Sequence, residues 1–173
     1  FLATFLAVDS LSTEIKCKFD IIKIAKKDFY SCILDSYGDI ATSRSTEIVT
    51  IGDHTVNATT LKKHANADVE GLFISQGLLA YIPQGFAASF PNLQGIHVDN
   101  SSLKEVTRQN LKGFTNLTHL NLTHNLINVL ERDLFADNKK LTTIHMEEPN
   151  VTHVDPKVFF DLRIEEISLN FTA

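Results

Sequence analysis

The stretch LTHLNLTHNLINVL, Leu117 to Leu130, sets aliphatic residues at 117, 120, 122, 127 and 130. An amphipathic helix repeats its apolar residues at three and four, and a half-buried strand alternates them, so this spacing fits neither. Moved along the chain by 24 residues, the pattern meets itself. Leu117 falls on Val69, Leu93 and Leu141; Leu120 falls on Leu72, Ile96 and Ile144; Leu122 falls on Ile74, Val98 and Met146. Ile127 falls on Leu79, Leu103 and Val151, and Leu130 on Ile82, Val106 and Val154. All of these positions are aliphatic or Met in a chain that is 43% hydrophobic, so chance is a poor account of the register. A second set follows: Phe90 matches Phe114, and Phe135 matches Phe159 and Leu111.

A fixed period of this length marks a stack of similar coils. The core of each copy is a short strand, and alternate residues of a strand point to opposite faces. Leu120 and Leu122 therefore point inward, and residues 119, 121 and 123 outward. One coil cannot bury its own apolar face, whereas stacked coils bury it continuously and line up a parallel sheet.

The pattern L-x-x-L-x-L-x-x-N-x-L resembles the extracellular leucine-rich repeats of the 24-residue type. Its general form is similar to insect secreted leucine-rich proteins. The resemblance implies an α/β repeat solenoid: a parallel β-sheet on the concave side, and an irregular or short-helical convex side. For function it implies only a recognition scaffold; no enzymatic activity and no cofactor are expected. One departure is visible. The asparagine position holds Gly77, Ser101, Asn125 and Pro149, so only Asn125 can make the full set of backbone bonds that the family uses at this turn.

The copies divide the chain. Residues 49–173 are read as repeats: an irregular first copy (Val49, Ile51, Val56), four 24-residue copies at about 69–163, and a truncated last copy that starts one residue early at Ile164. Residues 11–48 do not fit the period. An open solenoid exposes an apolar end, and CKFD…FYSCIL is read as the N-terminal cap over it, a hairpin paired to the first coil. Residues 1–10 begin FLATFLAV and turn polar at Asp9 and Ser10. They are read as the tail of a secretory signal peptide; the competing reading is a buried strand. Cys17 and Cys32 are then expected to form a disulfide, against the alternative of two free thiols in a cytosolic protein. With no C-terminal cap motif after Leu169, the chain is expected to be a fragment of a longer protein.

Six of the twelve asparagines head N-x-[ST] triplets: Asn57, Asn100, Asn116, Asn121, Asn150 and Asn170. About two would arise by chance under that motif's definition, which favours the secretory route. Asn121 should project from the middle of the concave face, and Asn116 is the more accessible acceptor.

The net charge of −5 and the pI near 5.8 leave no basic face for nucleic acid. No stretch reaches the roughly 18 apolar residues of a membrane span. G-x-S-x-G, H-E-x-x-H, P-loop and dinucleotide-loop motifs are all missing, so no catalytic residue is assigned.

The outward strand centres are predicted to be Thr50, Phe73, His97, Asn121, His145 and Ser168. Gly71, Gly95, His119, Thr143 and Glu166 flank them on one side. Ser75, Asp99, Thr123, Glu147 and Asn170 flank them on the other. Phe73, His97, His119, Asn121, His145, Glu147, Glu166 and Ser168 form the candidate partner-binding face, with Phe73 as an apolar anchor and an acidic edge; the competing reading packs Phe73 on the cap. No metal is expected: His97 and His145 sit two strands apart, roughly 9–10 Å, and nothing completes a tetrahedral shell. The expected function is secreted, extracellular binding of a protein through this sheet. The alternatives are the N-terminal part of a membrane receptor ectodomain, or a structural homo-oligomer.

Overall fold

The computed structural model describes residues 12–15, 17–24, 26–35, 47–51, 64–77, 79–83, 85–147 and 150–171. The expectations for residues 1–10, Val56, Asn57 and Pro149 lie outside them. The strands in chain order are β1 (Ser12–Ile15), β2 (Lys18–Ile24), β3 (Lys27–Asp35), β4 (Glu47–Ile51), β5 (Gly71–Ser75) and β6 (Gly95–Asp99). They continue as β7 (His119–Asn121), β8 (Val129–Leu130), β9 (Thr143–Met146), β10 (His153–Val154) and β11 (Glu166–Leu169).

The 24-residue step becomes strand pairing without a slip. Leu72 lies opposite Ile96, Ile96 opposite Leu120, and Leu120 opposite Ile144, all in parallel pairs. The early start of the last copy is real as well, since Ile144 lies opposite Ile167. The seven-stranded sheet runs β11-β9-β7-β6-β5-β3-β2. All of its pairs are parallel except the antiparallel hairpin of β2 and β3.

The aliphatic positions of the four full copies are buried together in one core, with Val154 only partly buried. Phe86, Phe90, Phe114 and Phe135 fill its far side, and Phe135 stacks on Phe159 at 5.8 Å. The convex side holds short helices, α1 (Phe86–Ser89) and α2 (Arg108–Leu111), separated by turns. Thr107 caps α2: its hydroxyl accepts from the Asn110 amide. Asn138 is buried there and donates through Nδ2 to the carbonyls of Leu111 and Phe114, each at 3.0 Å.

Asn125 behaves as the repeat requires. Its Oδ1 accepts from the amides of Ser101 and Leu103 at 3.1 and 3.2 Å. Its Nδ2 reaches the carbonyls of Val98, Leu122 and Thr123 at 2.8, 2.9 and 3.0 Å. Ser101, at the same position one coil earlier, does a smaller version. Its hydroxyl donates to the Asp99 carbonyl at 2.8 Å and accepts from the Gly77 amide at 3.4 Å.

The N-terminal end differs from the expected order of coils. β4 does not join the large sheet; it pairs with β1 in a separate two-stranded sheet. Thr50, expected on the concave face, therefore lies opposite Glu14. The neighbour of β5 is instead β3 of the hairpin, with Cys32 opposite Leu72 and Leu34 opposite Ile74. Cys32 and Leu34 thus take the two inward positions that every repeat fills with aliphatics. Cys17 and Cys32 are bonded, with Cα atoms 5.0 Å apart, and both are buried against the first coil.

Candidate functional site

The concave face carries the outward residues of β3, β5, β6, β7, β9 and β11, and the hairpin covers part of it. Only Ser31–Asp35 of β3 pair with β5. The rest of the hairpin, residues 21–24 and 26–30, continues past the strand and bends onto the concave side as an arm. Phe29 and Ile24 are fully buried there, apart from the main core. The arm fits because Gly71 and Gly95 lie beneath it. A Cβ on Gly95 would stand 2.9 Å from Ile24 Cδ1 and 3.2 Å from Phe29 Cε2; one on Gly71 would collide with Ser31. The ammonium of Lys27 sits 4.9 Å above the Phe29 ring and donates to Gln94 Oε1 at 2.8 Å. Lys26 Nζ reaches Glu166 Oε2 at 3.4 Å, on the last strand of the sheet.

Each residue of the expected binding face can be placed against this arm. Phe73 lies beside Ile33 and stacks on His97, ring centroids 4.4 Å apart and planes at 13°. Ile33 belongs to β3 of the hairpin, so Phe73 is next to the cap, and its side chain stays half-buried. His119 is nearest the arm: its ring meets Phe29 edge-on at 5.4 Å, and its Nδ1 lies 2.8 Å from Thr118 Oγ1. Asn121 Oδ1 accepts from the Thr123 amide at 3.0 Å and lies 2.8 Å from Thr123 Oγ1. That hydroxyl is also 3.0 Å from Asp99 Oδ1, so its one proton serves one of the two acceptors. His145 Nε2 lies 3.1 Å from Glu166 Oε1, and Ser168 Oγ donates to Glu147 Oε1 at 3.1 Å.

The electrostatics follow from this packing. Burial lowers the pKa of His97; Asp99 opposes the shift and His145 adds to it. Burial also lowers the pKa of His119, with the Lys27 charge second and Glu166 and Glu165 opposing. In both rings burial therefore favours the neutral form. The hydrogen bond from His145 and the Lys26 ammonium hold Glu166 below the usual carboxylate range. Among the described residues, no group of three or more His, Cys, Asp or Glu is placed to hold a metal ion, and no helix is long and apolar enough to cross a membrane.

Two zones result. The strand-start margin of the face is occupied by the arm. The remainder, from the Phe73–His97 stack through Asn121 and His145 to Ser168 and Glu147, is a half-exposed floor of side chains already held by one another. The arm is absent from the expected site. Its signal was the pair of glycines 24 residues apart at an outward position that later copies fill with His119 and Thr143.

The acceptor asparagines are dispersed. Asn100 is exposed in a left-handed conformation, φ 47°, after β6. Asn150 and Asn170 are exposed, and Asn116 and Asn121 are half-buried.

Comparison with known proteins agrees with this geometry. The leucine rich repeat family matches residues 91–150 and 115–173. No curated protein matches the chain. A chain of the Toll–Spatzle complex, a molecular hub in Drosophila development and innate immunity, is similar in structure, with a TM-score of 0.54 and 17% identity. The similarity covers 72% of this chain and 19% of that one, so the present chain spans about a fifth of its length. The 24-residue period, the unbroken parallel register from β5 to β9 and the family match identify residues 91–173 of this chain as leucine-rich repeats.

Proposed function

We propose that this chain is a secreted, non-enzymatic binding module that holds a protein partner on the uncovered part of its concave face. The observation that carries the reading is the floor itself. Phe73 offers an apolar ring already fixed by stacking on His97. Around it Asn121, His145, Ser168 and Glu147 are held by hydrogen bonds to their neighbours. Such a surface loses little side-chain entropy on association, and an aromatic anchor with a polar surround is the usual anatomy of a protein interface. The disulfide and the excess of acceptor triplets support an extracellular setting.

The test is capture from extracellular fluid of the source by the full chain and by two variants, Phe73→Glu and Ser168→Arg. A partner held by the wild type and released by both variants, with their circular dichroism unchanged, supports the reading. Equal capture by all three moves the interface off the sheet.

A homo-oligomer has one specific observation in its favour. Ile167 and Leu169, on the last strand, are 44% and 37% exposed, and Phe160 nearby is 78% exposed. Sedimentation of the wild type against Ile167→Lys separates this from a monomeric binder. A receptor ectodomain is decided by downstream sequence: about 20 consecutive apolar residues would establish the anchor.

A further inference from the structure

Along the flank where the strands begin, a groove of about 610 Å³ runs from the cap to the fourth coil. That size is within the range of pockets that take small ligands. Its walls repeat with the coils: Asp68 and Asn92 in one row, Glu70, Gln94 and Thr118 in the next. Tyr30, stacked on His64 at 3.9 Å, lines its cap end.

Asn116 stands in the first row, between Asn92 and Lys140. Its Oδ1 accepts from Lys140 Nζ at 2.7 Å. An ammonium can only donate, so the amide oxygen must face the fourth coil. The amide nitrogen is thereby turned toward the second coil, 3.4 Å from the Pro91 carbonyl, and toward the cap-side part of the groove. Asn116-Leu117-Thr118 is an acceptor triplet, and that nitrogen is the atom that takes sugar.

We propose that Asn116 is N-glycosylated and that the first sugars of its glycan lie in this groove, over the Tyr30–His64 pair. The proposal rests on the secretory reading above. In the transfer, Nδ2 bonds to C1 of an oligosaccharide carried on a lipid diphosphate. The bond from C1 to the diphosphate oxygen breaks, the diphosphate leaves with its electrons, and Nδ2 loses one proton. The remaining N–H still faces Pro91, and Oδ1 keeps Lys140. Attachment to the nascent chain requires no groove; the folded protein then lays the sugar into it. The lining suits rings that bear hydroxyl and acetamido groups: Asn92 and Gln94 each carry a second amide proton beyond their bonds to the Ala67 carbonyl and Glu70 Oε1, and carboxylates such as Asp68 and Glu70 accept more than one hydrogen bond. Asn121 has no such cradle: its oxygen is engaged by Thr123, and a sugar there would stand on the open sheet.

The experiment is a glycopeptide map of the full chain secreted from eukaryotic cells, followed by release of its glycans from the native protein with an amidase specific for N-glycans. The expected result is a filled Asn116 whose glycan is released at least about tenfold more slowly than that of an exposed site, as local protection in the folded state requires. Ala67→Trp fills the groove without touching the triplet, and it should bring release at Asn116 up to the exposed rate. Other triplets filled with Asn116 bare would overturn this proposal and leave the secretory reading standing. Asn116 filled but released equally fast in wild type and Ala67→Trp would overturn the cradle. All triplets bare would remove the secretory reading and this proposal with it.

Discussion

Phe29 meets His119 edge-on across the concave side of the sheet, ring centroids 5.4 Å apart and planes at 71°. The contact joins the cap to the third coil, with Gly95 beneath the Phe29 ring. The two buried phenylalanines of the hairpin therefore part ways: Phe19 joins the core, and Phe29 lies outside it on the concave side of the sheet.

Gly95→Ala tests whether glycine is required there. The new methyl would meet Ile24 and Phe29 inside van der Waals distance. Overpacking of this kind costs about 1–3 kcal/mol, read as a lower urea midpoint. Ile24→Ala in the same chain makes room for it, so the double variant should lose less than the two single losses together. Strict additivity would show that the arm does not lie on Gly95.

Asn125→Ala removes the acceptor for two buried amides and the two N–H donors that three carbonyls share. Buried groups left unpaired cost about 1–3 kcal/mol each, and relaxation will recover part of the total. A loss of about 3 kcal/mol is expected, larger than that for Ser101→Ala, which makes fewer bonds. Equal losses in the two variants would contradict the ladder described for these turns.

Reduction of the disulfide frees a cross-link between residues 15 apart in sequence. Closing a loop of this size is worth about 3 kcal/mol. Hydrogen exchange after reduction should rise first in β2 and β3, because they form the end of the sheet, and least in β7 and β9. A uniform rise across all strands would show that the cap and the coils unfold as one unit.

Stability should fall as the pH drops below about 6.5, the ordinary value for an imidazole. His97 and His119 both have lowered pKa values in the folded chain. Below 6.5 the unfolded chain takes up protons that the folded chain refuses, so unfolding becomes easier down to the folded values and the penalty is constant beneath them. Glu166 acts in the same direction at lower pH: its pKa is held below 4.5, and the stability it contributes is lost as the pH falls through the folded value. Urea midpoints at pH 8, 7, 6 and 5 check the sign. The double variant His97→Gln, His119→Gln should flatten the upper part of the profile.

The sheet was legible because its determinants are local and repeated. Leu72, Ile96, Leu120 and Ile144 share a spacing, and shared spacing in a solenoid is shared register. The early last copy at Ile164 could be counted the same way. The partner of β5 could not. Val49 and Ile51 alternate as any strand does, and nothing near them in sequence records that β4 pairs with β1 and leaves β5 to the hairpin. The arm was hidden for the opposite reason. Its evidence lies under it, in the missing side chains of Gly71 and Gly95, and a glycine at an outward position reads as merely small until something is seen resting on it. The eight residues of the expected face lie on adjoining strands, but no local pattern reveals that the margin at Gly71, Gly95 and His119 is already covered by another part of the chain.

The contact between Lys26 and Glu166 alters what kind of object the stack is. A solenoid is nearly one-dimensional: each coil feels only its neighbours, and the arc is free to open or flatten. Glu166 lies five strand spacings from β3, about 24 Å measured along the sheet, yet a side chain of the hairpin touches it. That touch is a bowstring across the arc. The pair is exposed, screened by salt and weak by itself, so the string is taut at low ionic strength and slack at high. A tie across the arc, which neighbour-to-neighbour stacking alone does not provide, is thus the part of this fold most exposed to the ions in the surrounding fluid.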